Sequence, residues 1–195
     1  IMAGTIPNCR SYDPCFSYEL ETIISEGIED MYVKNNDRYY YITLMNENYI
    51  HPKRPKNATP ENIMKGAYCF FKATKPDFRV LASGLTLNFA LDAKRKLEEF
   101  GIELEIWSVT SFNELYRDGI ECERNERYFD SASKPYVCSI FANPIPTLAV
   151  SEYQRAYANQ IRSWATSEYI TLGTDGFGRS DTREKLRDFF EIDAN

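Results

Sequence analysis

The pattern of apolar and polar positions predicts one long helix and one strand near the start of the chain. Apolar side chains recur at steps of three and four between residues 13 and 35, which predicts a helix over 13–35. Asp13 suits its N-cap and Pro14 its first turn. Residues 38–45 are mostly aromatic or β-branched and predict a strand that is largely buried. The prolines between residues 46 and 60 then predict a linker or a surface loop.

A regular alternation of strands and helices follows. The predicted elements are a helical turn at 59–65, an apolar run at 67–72, strands at 79–83, 102–107, 136–141, 147–150 and 169–172, and helices at 87–100, from 111–117 onward, 152–164 and 181–190. Strands that alternate with helices are typical of crossover units. We therefore predict the α/β class, with a mostly parallel sheet and helices on both faces, preceded by a helix–strand remnant of another domain. The boundary is predicted around residues 52–60.

Composition narrows the possible functions. Of the 195 residues, 43% are hydrophobic and 14% aromatic, which suffices for a folded core and excludes a disordered tail. No run approaches the roughly 20 apolar residues of a membrane span, so no membrane partner is expected. The formal net charge of −6 disfavours a nucleic-acid-binding surface. Because the sequence stops directly after a helical pattern, we expect a piece of something longer, cut at both ends.

The cysteines and the histidine limit the metal and redox chemistry. The five cysteines are an odd number and form no Cys-x-x-Cys pair, so we expect reduced thiols in a cytoplasm rather than a disulfide framework. The single histidine, His51, cannot build a site that needs several. Cys122 could be a nucleophile, but its acidic neighbours disfavour a thiolate. The segment 118–127 is predicted to be a solvated helix end or an interface.

The glycine-rich loop at 173–181 allows two interpretations. Three glycines between a predicted strand and a predicted helix could cradle an anion at the helix N-terminus, with Arg179 assisting. The second interpretation is a strand-to-helix turn in which Asp181 is the N-cap and Glu184 closes a capping box. The spacing matches neither the Walker pattern nor the dinucleotide fingerprint, and the acidic side chains would repel phosphate. We favour the capping interpretation.

Two further groups of residues have an ordinary interpretation that outweighs a functional one. Glu47 and His51 could form a general acid–base pair, yet single polar residues in a proline-rich loop are more often surface residues. The tyrosines at 39–41 and the phenylalanines at 70–71 could stack on bases, but they are predicted to lie in the core of a sheet.

Several longer strings carry a family resemblance. They are Thr5-Ile-Pro-Asn-Cys, Tyr12-Asp-Pro, Tyr39-Tyr-Tyr-Ile-Thr, Asn46-Glu-Asn-Tyr, Trp107-Ser-Val-Thr-Ser-Phe-Asn-Glu-Leu, Arg117-Asp-Gly, Cys122-Glu-Arg and Gly173-Thr-Asp-Gly-Phe-Gly-Arg-Ser-Asp. In this order, over essentially the whole chain, they resemble the C-terminal third of the homodimeric bacterial pyruvate dehydrogenase decarboxylating components. That family belongs to the transketolase-like thiamine diphosphate enzymes.

The resemblance implies a domain map. Residues 1–54 would be the end of the pyrimidine-binding middle domain, residues 55–76 a linker and connecting segment, and residues 77–195 a transketolase-like C-terminal domain. It further implies a cytoplasmic homodimeric enzyme. That enzyme would decarboxylate pyruvate with thiamine diphosphate and Mg²⁺ and pass the two-carbon unit to lipoyl groups of a dihydrolipoyl acetyltransferase partner.

The resemblance assigns no catalytic, cofactor-binding or metal-binding residue to this chain. The family's metal ligands, histidine-rich loops and cofactor-activating glutamate lie before Ile1 of this sequence. Relatives often place histidine directly after the Asn-Glu-Asn-Tyr string, where this chain has Ile50 and then His51, so Glu47 and His51 receive no role. We expect a structural and dimerisation module that binds no cofactor and is inactive alone. The alternatives are a stand-alone α/β binding module and a small enzyme that uses Glu47, His51 or Cys122.

Overall fold

The computed structural model describes residues 2–129 and 133–195. The strands are β1 (Cys9–Tyr12), β2 (Tyr39–Ile42), β3 (Ala67–Phe71), β4 (Phe78–Ala82), β5 (Leu104–Val109), β6 (Thr147–Val150) and β7 (Tyr169–Leu172). The helices are α1 (Ser17–Ile28), α2 (Pro60–Met64), α3 (Thr86–Glu98), α4 (Phe112–Phe129), α5 (Val137–Ile140), α6 (Arg155–Asn159) and α7 (Arg183–Phe189). Short 3₁₀ turns lie at Met2–Thr5 and Arg162–Trp164, and a π-helical turn at Glu29–Val33 extends α1.

The main sheet has five strands in the order β3-β5-β4-β6-β7. β4 lies at its centre, where Val80 is opposite Ile106 of β5 and Leu148 of β6, both in parallel register. β7 continues the parallel set, and β3 is the one antiparallel strand, paired with β5. The α/β class and the mostly parallel sheet are therefore confirmed.

Both faces of this sheet are buried, as expected for a parallel sheet. Successive residues of a strand point to opposite faces. Val80 and Ile106 accordingly join one core with α3 and the N-terminal segment. Leu81 and Val109 belong to a second core with α4, α5 and α6. The prediction of helices on both faces is confirmed.

The N-terminal segment shares a core with the main sheet. β1 and β2 form a separate two-stranded parallel sheet. Tyr12, Phe16 and Ile23 of this segment are fully buried in the same cluster as Val80 and Ile106. This N-terminal segment is therefore packed onto the five-stranded sheet through its buried side chains.

The first helix begins four residues later than predicted. α1 starts at Ser17, with Phe16 in an extended conformation at the N-cap position. The Glu19 carboxylate accepts hydrogen bonds from the backbone N–H groups of Cys15 at 2.6 Å and of Phe16 at 2.9 Å. Glu19, in the first turn of α1, therefore satisfies two backbone donors at the start of the helix.

The predictions of Asp13 as N-cap and of Pro14 in the first turn are wrong, because both residues lie between the end of β1 at Tyr12 and the start of α1 at Ser17. The Asp13 carboxylate accepts hydrogen bonds from Thr43, Tyr153 and Tyr157 instead.

The strand β2 is more exposed than predicted. Tyr39 and Tyr41 are 42% and 54% exposed, whereas Tyr40 stacks on Tyr12 at a ring-centroid distance of 6.0 Å. Among the described residues β1 is its one partner strand, so the outward tyrosines stay open to solvent. The prediction of a largely buried strand is therefore wrong, and β1 was not predicted.

Two segments of the second half also differ from the prediction. The predicted strand at 136–141 is wrong: α5 lies there, and its residues Val137 and Ile140 enter the core at helical spacing. A short apolar run fits a buried strand and a single helical turn equally well. The predicted helix at 152–164 consists of α6 followed by a 3₁₀ turn.

The longest helix of the described ranges is α4. Its first half buries Phe112 and Leu115, while the second half, within the segment 118–127, is largely solvent-exposed and Cys122 is partly buried. None of the helices in residues 2–129 and 133–195 combines the length and apolar surface that a bilayer span needs.

Candidate functional site

The carboxyl ends of parallel strands from both sheets meet along one seam. The Gly84 N–H donates to the Asp13 carbonyl at 3.1 Å, and the Asp13 N–H donates to the Thr110 carbonyl at 2.7 Å, so the end of β1 touches the ends of β4 and β5. Ligands of α/β proteins bind at this edge of a parallel sheet. We define the seam as the side chains of Asp13, Thr43, Glu47, Ser83, Glu152, Tyr153, Tyr157 and Arg187.

The Asp13 carboxylate organises one half of the seam. It is buried and accepts hydrogen bonds from Tyr153 Oη at 2.8 Å, from Tyr157 Oη at 2.5 Å and from Thr43 Oγ1. Burial, together with the Asp13 charge, raises the pKa of both tyrosines above their ordinary value. Both phenols are therefore neutral donors near neutral pH, and their bonds join β1 and β2 to the segment after β6.

An arginine organises the other half. Arg187 of α7 donates from Nη1 to Glu47 Oε2 at 3.0 Å and from Nη2 to Glu152 Oε1 at 2.9 Å. This hydrogen bonding to Arg187 lowers the pKa of Glu47. Burial raises the pKa of Glu152, against the effect of the same arginine. Glu47 is thus held as the anionic member of an ion pair, an environment that does not suit a general acid.

In the structure, His51 is hydrogen-bonded to the backbone of α1 and not to Glu47. Its Nδ1 accepts the backbone N–H of Ser17 at 2.9 Å, at the first residue of α1. Its ring stacks on Tyr49 with centroids 4.9 Å apart. The His51 side chain therefore stabilises the start of α1, whereas the Glu47 side chain forms an ion pair with Arg187. Within residues 2–129 and 133–195, no group of three or more His, Cys, Asp or Glu side chains is arranged to hold a metal ion.

The loop 173–181 turns from β7 into α7. A Cβ on Gly173 would lie 2.3 Å from the Tyr153 carbonyl oxygen, so only glycine permits this close approach. The Asp175 carboxylate accepts two hydrogen bonds from Arg155, one from its backbone N–H at 2.9 Å and one from its Nε at 2.6 Å. The strand-to-helix turn agrees with the capping interpretation, but Asp181 as N-cap and Glu184 as its capping-box partner are wrong. Thr182 takes that position and accepts the Lys185 N–H at 3.4 Å.

Two residues of this loop, Phe177 and Arg179, lie outside the N-cap of α7. Phe177 is 95% exposed. The guanidinium of Arg179 lies 4.0 Å from the ring centroid of Phe189 on α7, at cation–π distance.

Sequence reasoning missed a buried carboxylate that joins the two halves of the chain. Besides its two backbone donors, Glu19 accepts Tyr68 Oη of β3 at 2.5 Å and Ser108 Oγ of β5 at 2.7 Å. Glu19 lies three residues after Phe16 and four before Ile23, which places it on the buried face of α1. That spacing was the available signal.

The fold and the matching family model define the class of protein. The model of the transketolase-like TK C-terminal domain matches residues 66–193, and the chain belongs to this family. The model of the pyruvate dehydrogenase E1 component middle domain matches residues 1–52.

Curated relatives identify the particular group within that class. The chain is homologous to the C-terminal part of the pyruvate dehydrogenase E1 component, so the resemblance seen in its motifs is confirmed. It is 47% identical to the pyruvate dehydrogenase E1 component of Pseudomonas aeruginosa over 100% of this chain and 23% of that protein. The corresponding protein of Escherichia coli is 42% identical over 100% of this chain and 22% of its own length. The chain thus spans less than a quarter of these relatives.

Solved transketolases share the fold. The transketolase of Campylobacter jejuni superimposes with a TM-score of 0.68 at 18% identity, covering 99% of this chain and 26% of that one. A split-gene transketolase, described as an inactive β4 tetramer, gives a TM-score of 0.61 at 13% identity over 99% of this chain and 56% of that chain.

Proposed function

We propose that this chain is the scaffold and assembly region of a thiamine diphosphate enzyme that decarboxylates pyruvate. The enzyme would pass the resulting two-carbon unit to lipoyl groups of a dihydrolipoyl acetyltransferase. The names of the curated relatives support the activity, and the two family models match in the order middle domain, then C-terminal domain.

The observation that carries this proposal is the buried junction between the two matched regions. Glu19 in the region 1–52 is bonded to Tyr68 and Ser108 in the region 66–193. A middle-domain remnant at 1–54, a connecting segment at 55–76 and a C-terminal domain at 77–195 belong to the proposal. Such a junction would fix the position of one domain against the other. A cofactor site built by the rest of the middle domain needs rigid support of this kind.

The cofactor would be held by other parts of the longer enzyme. Mg²⁺ needs oxygen ligands in octahedral arrangement. The described residues offer no acidic group of that kind, the Asp13 carboxylate is filled by three hydroxyl donors, and Asp175 is paired with Arg155. These residues do not fit magnesium diphosphate, so the proposal assigns thiamine diphosphate and Mg²⁺ to the enzyme and none to this chain.

The proposal includes a cytoplasmic homodimer. Met2, Ile6, Tyr39 and Tyr41 are exposed apolar or aromatic side chains that line one cavity of about 360 Å³ beside the small sheet. Exposed apolar surface of this kind favours a protein partner. All five cysteines are free thiols, which suits a reducing compartment.

A chimeric enzyme tests the proposal. This chain would replace the matching region of the pyruvate dehydrogenase E1 component of Pseudomonas aeruginosa. Because the domain junction is internal to the transplanted piece, we expect the chimera to release carbon dioxide from pyruvate at a rate of the same order as the parent. A Glu19→Ala chimera should lose that activity, and a chimera with the exposed Glu21→Ala should keep it. A chimera that folds with an unchanged melting curve and yet is inactive would contradict the proposal.

A further inference from the structure

The chain contains two Asp-Gly dipeptides, and the structure places them in opposite environments. Asp118-Gly119 lies inside helix α4, whereas Asp175-Gly176 lies in the loop between β7 and α7. In such a dipeptide the glycine nitrogen can attack the carboxyl carbon of the aspartate side chain, because glycine has no Cβ to obstruct ring closure. The attack needs a nitrogen that is free of hydrogen bonds and a backbone that can rotate.

The dipeptide of the helix lacks both conditions. Within an α-helix the N–H of Gly119 donates to the carbonyl four residues earlier. A Cβ on Gly119 would lie 2.3 Å from Cζ2 of Trp164, so the backbone is closely packed at this turn. The Asp118 carboxylate also accepts a hydrogen bond from the Tyr136 N–H at 2.6 Å. We therefore expect Asp118 to be unreactive.

The dipeptide of the loop meets both conditions. Among the described residues, the N–H of Gly176 has no hydrogen-bond acceptor. Gly176 has a φ of +88°, a conformation that favours glycine, and a Cβ built on it would meet no described atom within 4 Å beyond its chain neighbours. Asp175, Gly176 and the following Phe177 are all exposed. The described part of the chain therefore neither binds the nitrogen of Gly176 nor packs against this residue.

One residue restrains the other reactant, the Asp175 carboxylate. Arg155 at the start of α6 donates to it from its backbone N–H at 2.9 Å and from Nε at 2.6 Å. The hydrogen bonds from Arg155 lower the pKa of Asp175, so the carboxyl group stays ionised. An ionised carboxyl group is a poorer electrophile than the neutral acid, and this one is also held toward α6. Arg155 therefore opposes the reaction that Gly176 permits.

We propose that Asp175 is a site of isoaspartate formation and that Arg155 slows this modification. The Gly176 nitrogen bonds to Cγ of Asp175 and loses its proton, the Cγ–OH bond breaks, and one water leaves to give a cyclic succinimide. Water then adds to the main-chain carbonyl carbon of residue 175 and breaks its bond to the Gly176 nitrogen. The chain now runs through Cγ, and the carboxylate on the α-carbon is displaced from Arg155. Water is the only co-reactant.

Ageing of the purified chain at mildly acidic pH tests the site, with peptide mapping and electron-transfer fragmentation to locate isoaspartate. We expect isoaspartate to accumulate at residue 175 and not at residue 118. Arg155→Ala keeps the backbone donor but removes the guanidinium group. It should raise the rate at Asp175 by about tenfold, the effect of losing one hydrogen bond to a charged group. Arg155→Lys, which retains the positive charge without Nε, should give an intermediate rate.

Two further variants serve as controls. Arg95→Ala removes an exposed arginine that pairs with Asp92 on α3, and it should age as the unaltered chain does. Asp175→Glu should give no isoaspartate in this loop, because the longer side chain closes a larger ring much more slowly.

Three results would overturn the proposal. The first is a chain without isoaspartate at residue 175 after a period in which a free peptide of residues 172–180 has converted. The second is equal accumulation at residues 118 and 175. The third is an Arg155→Ala chain that melts as the unaltered chain does and yet isomerises at the same rate.

Discussion

Replacing Glu19 by alanine is expected to lower the free energy of unfolding by about 4 kcal/mol. The variant leaves the N–H groups of Cys15 and Phe16 and the hydroxyls of Tyr68 and Ser108 without their acceptor in a buried site. It also opens a void at the point where α1 meets β3 and β5. Since domains of this size are stable by only about 5–15 kcal/mol, chemical denaturation should show the loss as a large decrease in the midpoint.

Glu21 provides the matched control for this substitution. It lies on the same helix, two residues further on, and is exposed. Glu21→Ala should change stability by no more than about 0.5 kcal/mol. If the two variants unfold at the same denaturant concentration, Glu19 does not join the two halves of the chain.

The protonation of Glu19 makes the free energy of unfolding depend on pH. Burial raises the pKa of this carboxyl above its ordinary value of 4.5, although four donors act in the opposite direction. The stability associated with the protonated form is fully present below pH 4.5 and is lost as the pH rises through the raised pKa. Relative to Glu19→Gln, the unaltered chain should therefore become less stable as the pH increases above 4.5. A relative gain would mean that the donors outweigh burial.

Replacing Arg79 by methionine is expected to destabilise the chain by about 3–5 kcal/mol. The Arg79 side chain in the central strand β4 is only 2% exposed, and its Nε donates to Glu105 Oε1 of β5 at 2.8 Å. The substitution fills a similar volume but leaves the Glu105 carboxylate buried without its cation. Thermal and denaturant unfolding should both record the loss.

A double variant separates the ion pair from the packing around it. Arg79→Met with Glu105→Leu should recover most of the stability, because apolar residues can replace a buried pair. The recovery should be incomplete, since Trp107 Nε1 loses its acceptor on Glu105 at 2.9 Å. As a control, Lys34→Met breaks an exposed pair with Glu29 and should leave the melting curve unchanged. A double variant as unstable as Arg79→Met would contradict this explanation.

The sequence predicted the architecture better than the site. Parallel strands buried on both faces are continuous apolar runs, so β4 and β6 were recognisable, and glycine marked the end of α3. Exposure was harder to predict. β2 has the composition of a buried strand, yet Tyr39 and Tyr41 face outward because their burial depends on what lies beside the strand. The segment at 136–141 was ambiguous for a different reason, since a six-residue run with five apolar or aromatic residues fits both a buried strand and a helical turn.

The interactions of the seam and of Glu19 could not be predicted because they join distant residues. Arg187 reaches Glu47 and Tyr157 reaches Asp13 across more than a hundred positions of the chain. The local sequence pattern predicted Asp13 as a helix N-cap, because its neighbours in the sequence permit that role. In the folded chain the Asp13 side chain instead accepts long-range hydrogen bonds from the tyrosines after β6. The family resemblance, in contrast, rested on contiguous strings and was recognisable directly.

Calorimetric titration of the purified, folded chain with thiamine diphosphate and Mg²⁺ tests the proposed division between scaffold and cofactor site. Under the proposed function, other parts of a longer enzyme hold the cofactor. We therefore expect no saturable heat at millimolar cofactor. Saturable, Mg²⁺-dependent binding at micromolar concentration would contradict the proposal that this chain does not hold the cofactor.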